Sequence, residues 1–223
     1  NKAIKLSSSE LIARMDADDI SESRRLELEL NELERRRLDL ISGNIVYIDE
    51  GGNVIGEKSM IPEDERLIEK ILPYGSTIIH PTVLMRKAAF NRVGGYRLLT
   101  TAEDYDLWLR MIASGLKIGS INNRVLKYRL RDNSMTSNAW KTYIVTKYIQ
   151  RLYAQRKRTG KDAFKQDDPQ LLVKLNDETA RQKFNQGQRH FTNMMLNLKE
   201  RKIWCAFYQL SQAMFTTRDN FCY

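Results

Sequence analysis

A chain of 223 residues can bury a full core and fits one large domain or a domain with an appendage. No apolar run approaches the roughly 18 to 20 residues that span a bilayer, and nothing reads as a signal peptide. Cys205 and Cys222 lie far from any His or Cys partner at ligand spacing, so they read as reduced thiols in a cytosolic protein, not as a disulfide framework or a zinc site.

The net charge of +9 is unevenly placed. Residues 1–138 hold 21 basic and 21 acidic side chains, whereas residues 139–223 hold 16 basic against 7 acidic. The whole excess therefore belongs to the C-terminal part. An appended basic segment suggests an anionic partner surface, membrane or nucleic acid; a solvated helical face is the plainer alternative.

In chain order, the short apolar run from Leu11 ends in Asp16, Asp18 and Asp19 and is followed by a helix pattern. A buried strand delivers acidic side chains to the rim of an open α/β sheet in this way. Ser21 is placed to cap a helix with Leu26, Leu30, Leu33 and Leu40 on its apolar face. Ile45 to Ile48 reads as a strand, residues 50–53 as a turn, and Val54-Ile55 as the return of a hairpin. Pro62 with Glu63, Asp64 and Glu65 opens another helix. Ser76 to Leu84 is strand-like with Pro81 inside it, which argues for an edge or a break. Arg86 to Val93 reads as a short helix closed by Gly94-Gly95.

Thr100 or Thr101 can cap a helix with Glu103, Asp104 and Asp106 in its first turn, ended by Gly115. Leu116 to Ile121 and Val125 to Leu130 read as two further strands. From about Asn138 the pattern is helical, with Trp140, Ile144, Tyr148 and Leu152 near a four-residue period and a polar linker over 160–169. The expected organisation is an α/β region over 1–137 and an all-helical basic region over 138–223, with the boundary near Ser137.

Several side chains could carry chemistry. Hard cations such as Mg²⁺ take oxygen ligands, and Mg²⁺ is usually held by one or two carboxylates plus substrate phosphates. Asp16 and Asp18 suit that, although a short acidic run also caps helices. A calcium loop counted from Asp16 fails, because Ile20 and Ser21 stand where it needs Asx and Gly. Glu103 and Asp104 are either dipole-stabilising acids or a general base near a substrate hydroxyl. His80 and His190 have no partner at ligand spacing and read as packed or hydrogen-bonded residues. Arg129 and Arg131 lie two apart on one strand, suited to phosphate oxygens or simply exposed.

The order of these features resembles the catalytic domain of family-two glycosyltransferases with the GT-A fold, especially bacterial enzymes that build cell-surface polysaccharide. The residues that carry the resemblance are Ala13 to Ser21 (the DxD motif) with Arg25-Leu26, then His80-Pro81-Thr82-Val83 with Arg86. Gly94-Gly95-Tyr96, Ala102 to Arg110 (the ED motif) and Tyr128-Arg129 with Ser134 and Ser137 complete the set.

The resemblance implies a partial GT-A mixed sheet with flanking helices, and a Mn²⁺ or Mg²⁺ held by Asp18 with Asp16 near the ribose or the metal. It implies Asp104 as the base that deprotonates the acceptor hydroxyl, with Glu103 in support, and single displacement with inversion. Relatives often carry His where Arg131 stands; Arg131 cannot ligate a cation and is assigned with Arg129 to the diphosphate. The β-α units that bind the nucleoside in such enzymes have no counterpart before the DxD strand, so the chain reads as a C-terminal fragment with little or no transfer activity of its own. The exposed edge of such a half-sheet makes oligomers or swapped strands an expectation.

The expected partners are a nucleotide-sugar donor and a glycan or lipid-linked acceptor. An anionic membrane surface could meet 139–223, where Trp204, Phe207, Tyr208 and Phe215 could enter the interface or instead close a helical hairpin core. Nucleic acid is not expected. The expected location is the cytoplasm, peripheral on the inner face of the cell membrane. The alternative in another class is a non-catalytic interaction or regulatory module derived from a glycosyltransferase.

Overall fold

The computed structural model describes residues 1–58, 62–131 and 139–217. Ser134, Ser137, the expected domain boundary, Cys222 and the side chain of Phe215 lie outside the described residues. Contacts divide the chain into two compact units, one of residues 1–137 with 145–166 and one of 138–144 with 167–223.

The first unit is built on a mixed sheet. After a short helix α1 (Lys2–Leu6), β1 (Leu11–Ala13) leads into the acidic loop and β2 (Ile20–Ser21), and α2 (Arg25–Arg35) precedes β3 (Leu40–Ile48) and β4 (Val54–Lys58). Then come α3 (Glu65–Ile71), β5 (Leu84–Arg86), α4 (Lys87–Arg92), α5 (Glu103–Ala113) and β6 (Ile118–Arg129). The strand order is β1-β5-β3-β6-β2, with β4 pairing β3. β3 runs parallel to β6 and antiparallel to β5 and β4. Most of β3 is buried, as expected of a strand covered on both faces. Leu33 of α2 packs with Ile41, Ile45, Leu84, Val125 and Leu126 in the core beneath the acidic loop.

Several boundaries differ from the expected ones, each for a local reason. Ser21 is not a helix cap but pairs with Leu126 as the end of β2, and α2 starts four residues later. Arg37 in the left-handed region (φ 51°) follows α2, so Leu40 opens β3 and is not on the helix. Pro81 sits in a 3-10 turn, His80–Thr82, not inside a strand, and its neighbour Thr82 holds Ser42 Oγ at 2.8 Å. Neither Thr100 nor Thr101 caps α5; the cap position is Ala102, at φ 56°, with no side-chain cap bond. The two strands expected over 116–130 are one strand, β6, whose register against β3 shifts around Gly43 and Asn44.

Gly43, at that shift, lies against a branched side chain. A Cβ on Gly43 would stand 2.5 Å from Val125 Cγ2, and Val125 is fully buried. Gly43→Ala is therefore expected to destabilise the fold by about 1–3 kcal/mol, read as a lower denaturant midpoint at unchanged slope.

The second unit joins the start of α6 (Ala139–Thr159) to α7 (Pro169–Leu175), α8 (Glu178–Lys199) and α9 (Ile203–Thr217). Trp140 stacks on Tyr143, and Phe184 meets both rings. Asp168 and Asp177 cap α7 and α8 through their carboxylates. His190 Nδ1 lies 2.7 Å from Gln209 Oε1 and ties α8 to α9.

Candidate active site

The acidic loop leaves β1 and is braced from three sides. The Arg14 amide donates to the Val83 carbonyl, and Arg25 Nη2 donates to the Arg14 carbonyl at 2.8 Å. Asp19 Oδ1 accepts the Arg129 amide at 2.9 Å. Arg129 Nε donates to the Asp18 carbonyl at 2.9 Å, while its Nη1 donates to the Asp49 and Glu50 carbonyls at 2.8 Å. Arg129 thus ties the loop to the turn between β3 and β4, with most of its fork engaged on backbone.

The strut under this loop is a buried ion pair. Arg25 and Glu29 are at most 2% exposed, with Nε–Oε2 at 3.1 Å. Burial pushes the Glu29 carboxyl up to about 7, against the pull of the Arg25 guanidinium. Arg25→Met would leave Glu29 buried without its cation and the Arg14 carbonyl without its donor. The expected loss is about 3–5 kcal/mol of stability by chemical denaturation, and Arg25→Met/Glu29→Leu is expected to recover most of it.

Asp16 and Asp18 each face a guanidinium. Asp16 pairs with Arg14 through two contacts of 2.7 and 2.6 Å, and Asp18 Oδ2 lies 3.0 Å from Arg131 Nε. Both carboxylates are partly open to solvent. Asp19 is buried; burial raises its pKa, partly offset by the Arg129 amide, and its Oδ2 has no hydrogen-bond partner among the described residues. Among those residues no group of three His, Cys, Asp or Glu side chains could hold a metal ion. The donor set still fits Mg²⁺ or Mn²⁺, which take most of their ligands from phosphate and water and need only one or two carboxylates.

Asp104 stands in the first turn of α5, two residues after Ala102, whose left-handed backbone costs a non-glycine residue about 1–3 kcal/mol. Its Oδ1 accepts the Tyr105 amide at 2.8 Å. Burial raises its pKa, the Tyr105 amide opposes this, the neighbouring Glu103 adds to it, and Arg14 again opposes it. Arg14 also acts electrostatically on Asp19, His80 and Tyr96. The Arg14 amide is held by the Val83 carbonyl, which ends the turn His80–Thr82, and His80 Nδ1 lies 3.8 Å from Asp104 Oδ2, so that turn links the acidic loop to the start of α5. His80 and Tyr96 form the wall behind Asp104, with His80 Nε2 and Tyr96 Oη 2.8 Å apart.

A family model matches the region that carries the acidic loop: glycosyl transferase family 2, over residues 1–94. Residues 1–94 belong to glycosyl transferase family 2. The chain is 33% identical over 141 residues to an uncharacterized glycosyltransferase of Methanocaldococcus jannaschii, covering 61% of this chain and 48% of that protein. It is 30% identical over 149 residues to the O-antigen biosynthesis glycosyltransferase WbnJ of Escherichia coli, covering 66% of this chain and 58% of the relative. The chain thus spans about half the length of the curated relatives it matches. Among solved structures, S. aureus TarS 1-349 in complex with UDP-GlcNAc is similar with a TM-score of 0.57 at 14% identity, over 95% of this chain and 69% of that one. That likeness shows the GT-A fold for this chain.

Arg14, His80 and Tyr96 were not singled out as site residues from the sequence, although all three lie in the motifs that carry the resemblance. Arg14 was legible only as a motif neighbour of Asp16. His80 offered no partner at ligand spacing, because its partners Tyr96 and Asp104 come from other elements of the fold.

Proposed function

We propose that the protein is a metal-dependent inverting glycosyltransferase that moves a sugar from a nucleotide-sugar donor to a glycan or lipid-linked acceptor in cell-surface polysaccharide synthesis. The observation that carries this reading is the link from the acidic loop to Asp104 through one turn: the Arg14 amide donates to the Val83 carbonyl at 2.8 Å, and His80, which opens the turn ending at Val83, brings Nδ1 to 3.8 Å from Asp104 Oδ2. The family match, the O-antigen relative and the UDP-GlcNAc complex of the structural neighbour support it.

In this reading Asp18, with Asp16, holds Mn²⁺ or Mg²⁺. Such a cation supplies Lewis-acid neutralisation of the charge that builds on the leaving diphosphate. Arg131 exchanges Asp18 for a diphosphate oxygen, and Arg129 keeps the loop in place and contacts the diphosphate only through the edge of its fork. The acceptor oxygen forms its bond to the anomeric carbon as the carbon–oxygen bond to the diphosphate breaks. Asp104 Oδ2 takes the acceptor proton, since Oδ1 is committed to the Tyr105 amide. Glu103 raises the proton affinity of Asp104 and faces the acceptor. The carbon inverts because the base and the leaving group lie on opposite sides.

Calorimetric titration of the chain with UDP in the presence and absence of Mn²⁺ tests the reading. Metal-dependent binding is expected. Failure of UDP to bind under either condition would favour the non-catalytic module.

The same reading places the protein in the cytoplasm, peripheral on the inner face of the membrane. No helix among the described residues is long and apolar enough to cross a bilayer. α9 contains no charged residue, and its Trp204, Phe207 and Tyr208 are 86, 61 and 61% exposed and so do not close a core. The unit that contains α9, residues 138–144 with 167–223, holds 9 basic against 6 acidic side chains, and basic residues contribute about 1 kcal/mol each near an anionic leaflet. Co-sedimentation with phosphatidylglycerol vesicles but not phosphatidylcholine vesicles is expected; equal failure with both removes the membrane from the account.

A further inference from the structure

Asp104 is backed by a pair of side chains that the transfer reaction as described does not use. His80 sits in the 3-10 turn His80–Thr82, where Thr82 anchors the backbone through Ser42 Oγ and the Gly43 amide. Its ring lies edge-on to Trp108, with centroids 5.8 Å apart, and burial with the nearby Arg14 charge lowers its pKa to about 3. The imidazole is therefore neutral at working pH and carries one N–H. Nε2 is 2.8 Å from Tyr96 Oη, and Nδ1 is 3.8 Å from Asp104 Oδ2.

Two arrangements of that single proton exist. With the proton on Nε2, imidazole donates to Tyr96 and turns the Nδ1 lone pair toward the Asp104 carboxylate, which is repulsive. With the proton on Nδ1, Tyr96 donates its hydroxyl to Nε2 and the N–H dipole points at the carboxylate. Tyr96 is well placed for this role. Its amide donates to Asn1 Oδ1 at 3.0 Å, its carbonyl accepts Asn1 Nδ2 at 2.8 Å, and Phe90 packs edge-on to its ring. Gly94 and Gly95, both at positive φ, turn the chain into it, and a Cβ on Gly95 would stand 2.9 Å from Phe90 Cζ.

We propose that Tyr96 and His80 are positioning residues for the base: Tyr96 fixes His80 as the Nδ1–H tautomer, and that N–H orients the Asp104 carboxylate and holds it ionised for the acceptor proton. The inference rests on Asp104 being the base, but its test needs neither donor nor turnover. The charged and titratable groups that bear on Asp104 are Glu103 on the same helix, Arg14 from the end of β1, and His80 with Tyr96 behind it. A 3.8 Å separation is longer than a hydrogen bond, so the coupling in the free protein is a charge–dipole one that shortens when an acceptor closes the site.

The test is NMR of the intact chain with ¹⁵N-labelled histidine and ¹³C-labelled aspartate. The chain has only two histidines, so His190→Gln assigns His80. The expected result at pH 7 is His80 as the Nδ1–H form. On acidification the tautomer ratio should move with the same midpoint as the Asp104 carboxyl signal. Tyr96→Phe is expected to raise the proton affinity of Asp104 at least about threefold, a shift of roughly half a pH unit. His80→Asn, which retains a donor at the Nδ1 position, should restrict that rise, whereas His80→Leu should show it in full. A His80 ring protonated on Nε2 at pH 7, or a ratio flat through the Asp104 titration, would overturn the proposal, as would an Asp104 midpoint unmoved in both Tyr96→Phe and His80→Leu. Loss of UDP binding would overturn only the proposed reaction and would leave this coupling measurable.

Discussion

Asp104→Asn is expected to lower kcat about 10²- to 10⁴-fold in any form of the enzyme with measurable transfer, while UDP affinity stays within about twofold. Asparagine retains the size of the side chain and the acceptor for the Tyr105 amide, so the start of α5 is preserved. What it loses is the oxygen that takes a proton. The pH dependence follows from the same environment. Burial and Glu103 raise the Asp104 pKa above its ordinary 3.8, and the base works only when ionised. Wild-type kcat therefore rises with pH through that raised pKa. Glu103→Gln removes a neighbouring negative charge, so the acid limb is expected to move to lower pH. In Asp104→Asn the limb should vanish. A variant that keeps wild-type kcat, or keeps the acid limb, would take the base away from Asp104.

How much of this was legible in the sequence depends on the range of the interaction. Features written within a few residues came through well. The acids in the first turn of α5, the β3–β4 hairpin and the helical C-terminal stretch are all local patterns, and each element is where its period puts it. The errors fall where tertiary contact overrides the local signal. Ser21 has the chemistry of a cap, yet strand pairing with Leu126 claims it. Leu40 fits the helical stripe of α2, but the helix stops at Arg35 and Leu40 pairs with Met85 and Ile118 in the sheet. The site divides in the same way. Asp16, Asp18 and Asp104 carry motif signals, whereas the Arg129 fork across two loops and the His80–Tyr96–Asp104 line depend on residues up to 111 positions apart. No spacing rule reaches that far.

The acidic loop gives the other large effect. Asp18→Ala is expected to weaken Mn²⁺-dependent UDP binding at least about 100-fold, since removing even an outer partner of a metal ligand typically costs 10- to 100-fold. Arg131→Ala separates the two tasks of the loop. The Asp18–Arg131 pair is 34% and 56% exposed on its two side chains, so solvent screening leaves it worth about 0–1 kcal/mol. Releasing Arg131 from Asp18 is accordingly cheap, and Mn²⁺ affinity in the absence of nucleotide should rise by no more than about fivefold in the variant. The diphosphate loses more. A hydrogen bond to a charged group contributes roughly 1.5–3 kcal/mol, so UDP affinity measured with saturating Mn²⁺ should fall about 10- to 100-fold. Opposite changes for metal and nucleotide are the signature of an arginine that occupies the carboxylate until the diphosphate arrives. If Arg131→Ala weakens both ligands alike, Arg131 supports the loop as Arg129 does, and the diphosphate must find its cationic partner in Arg14.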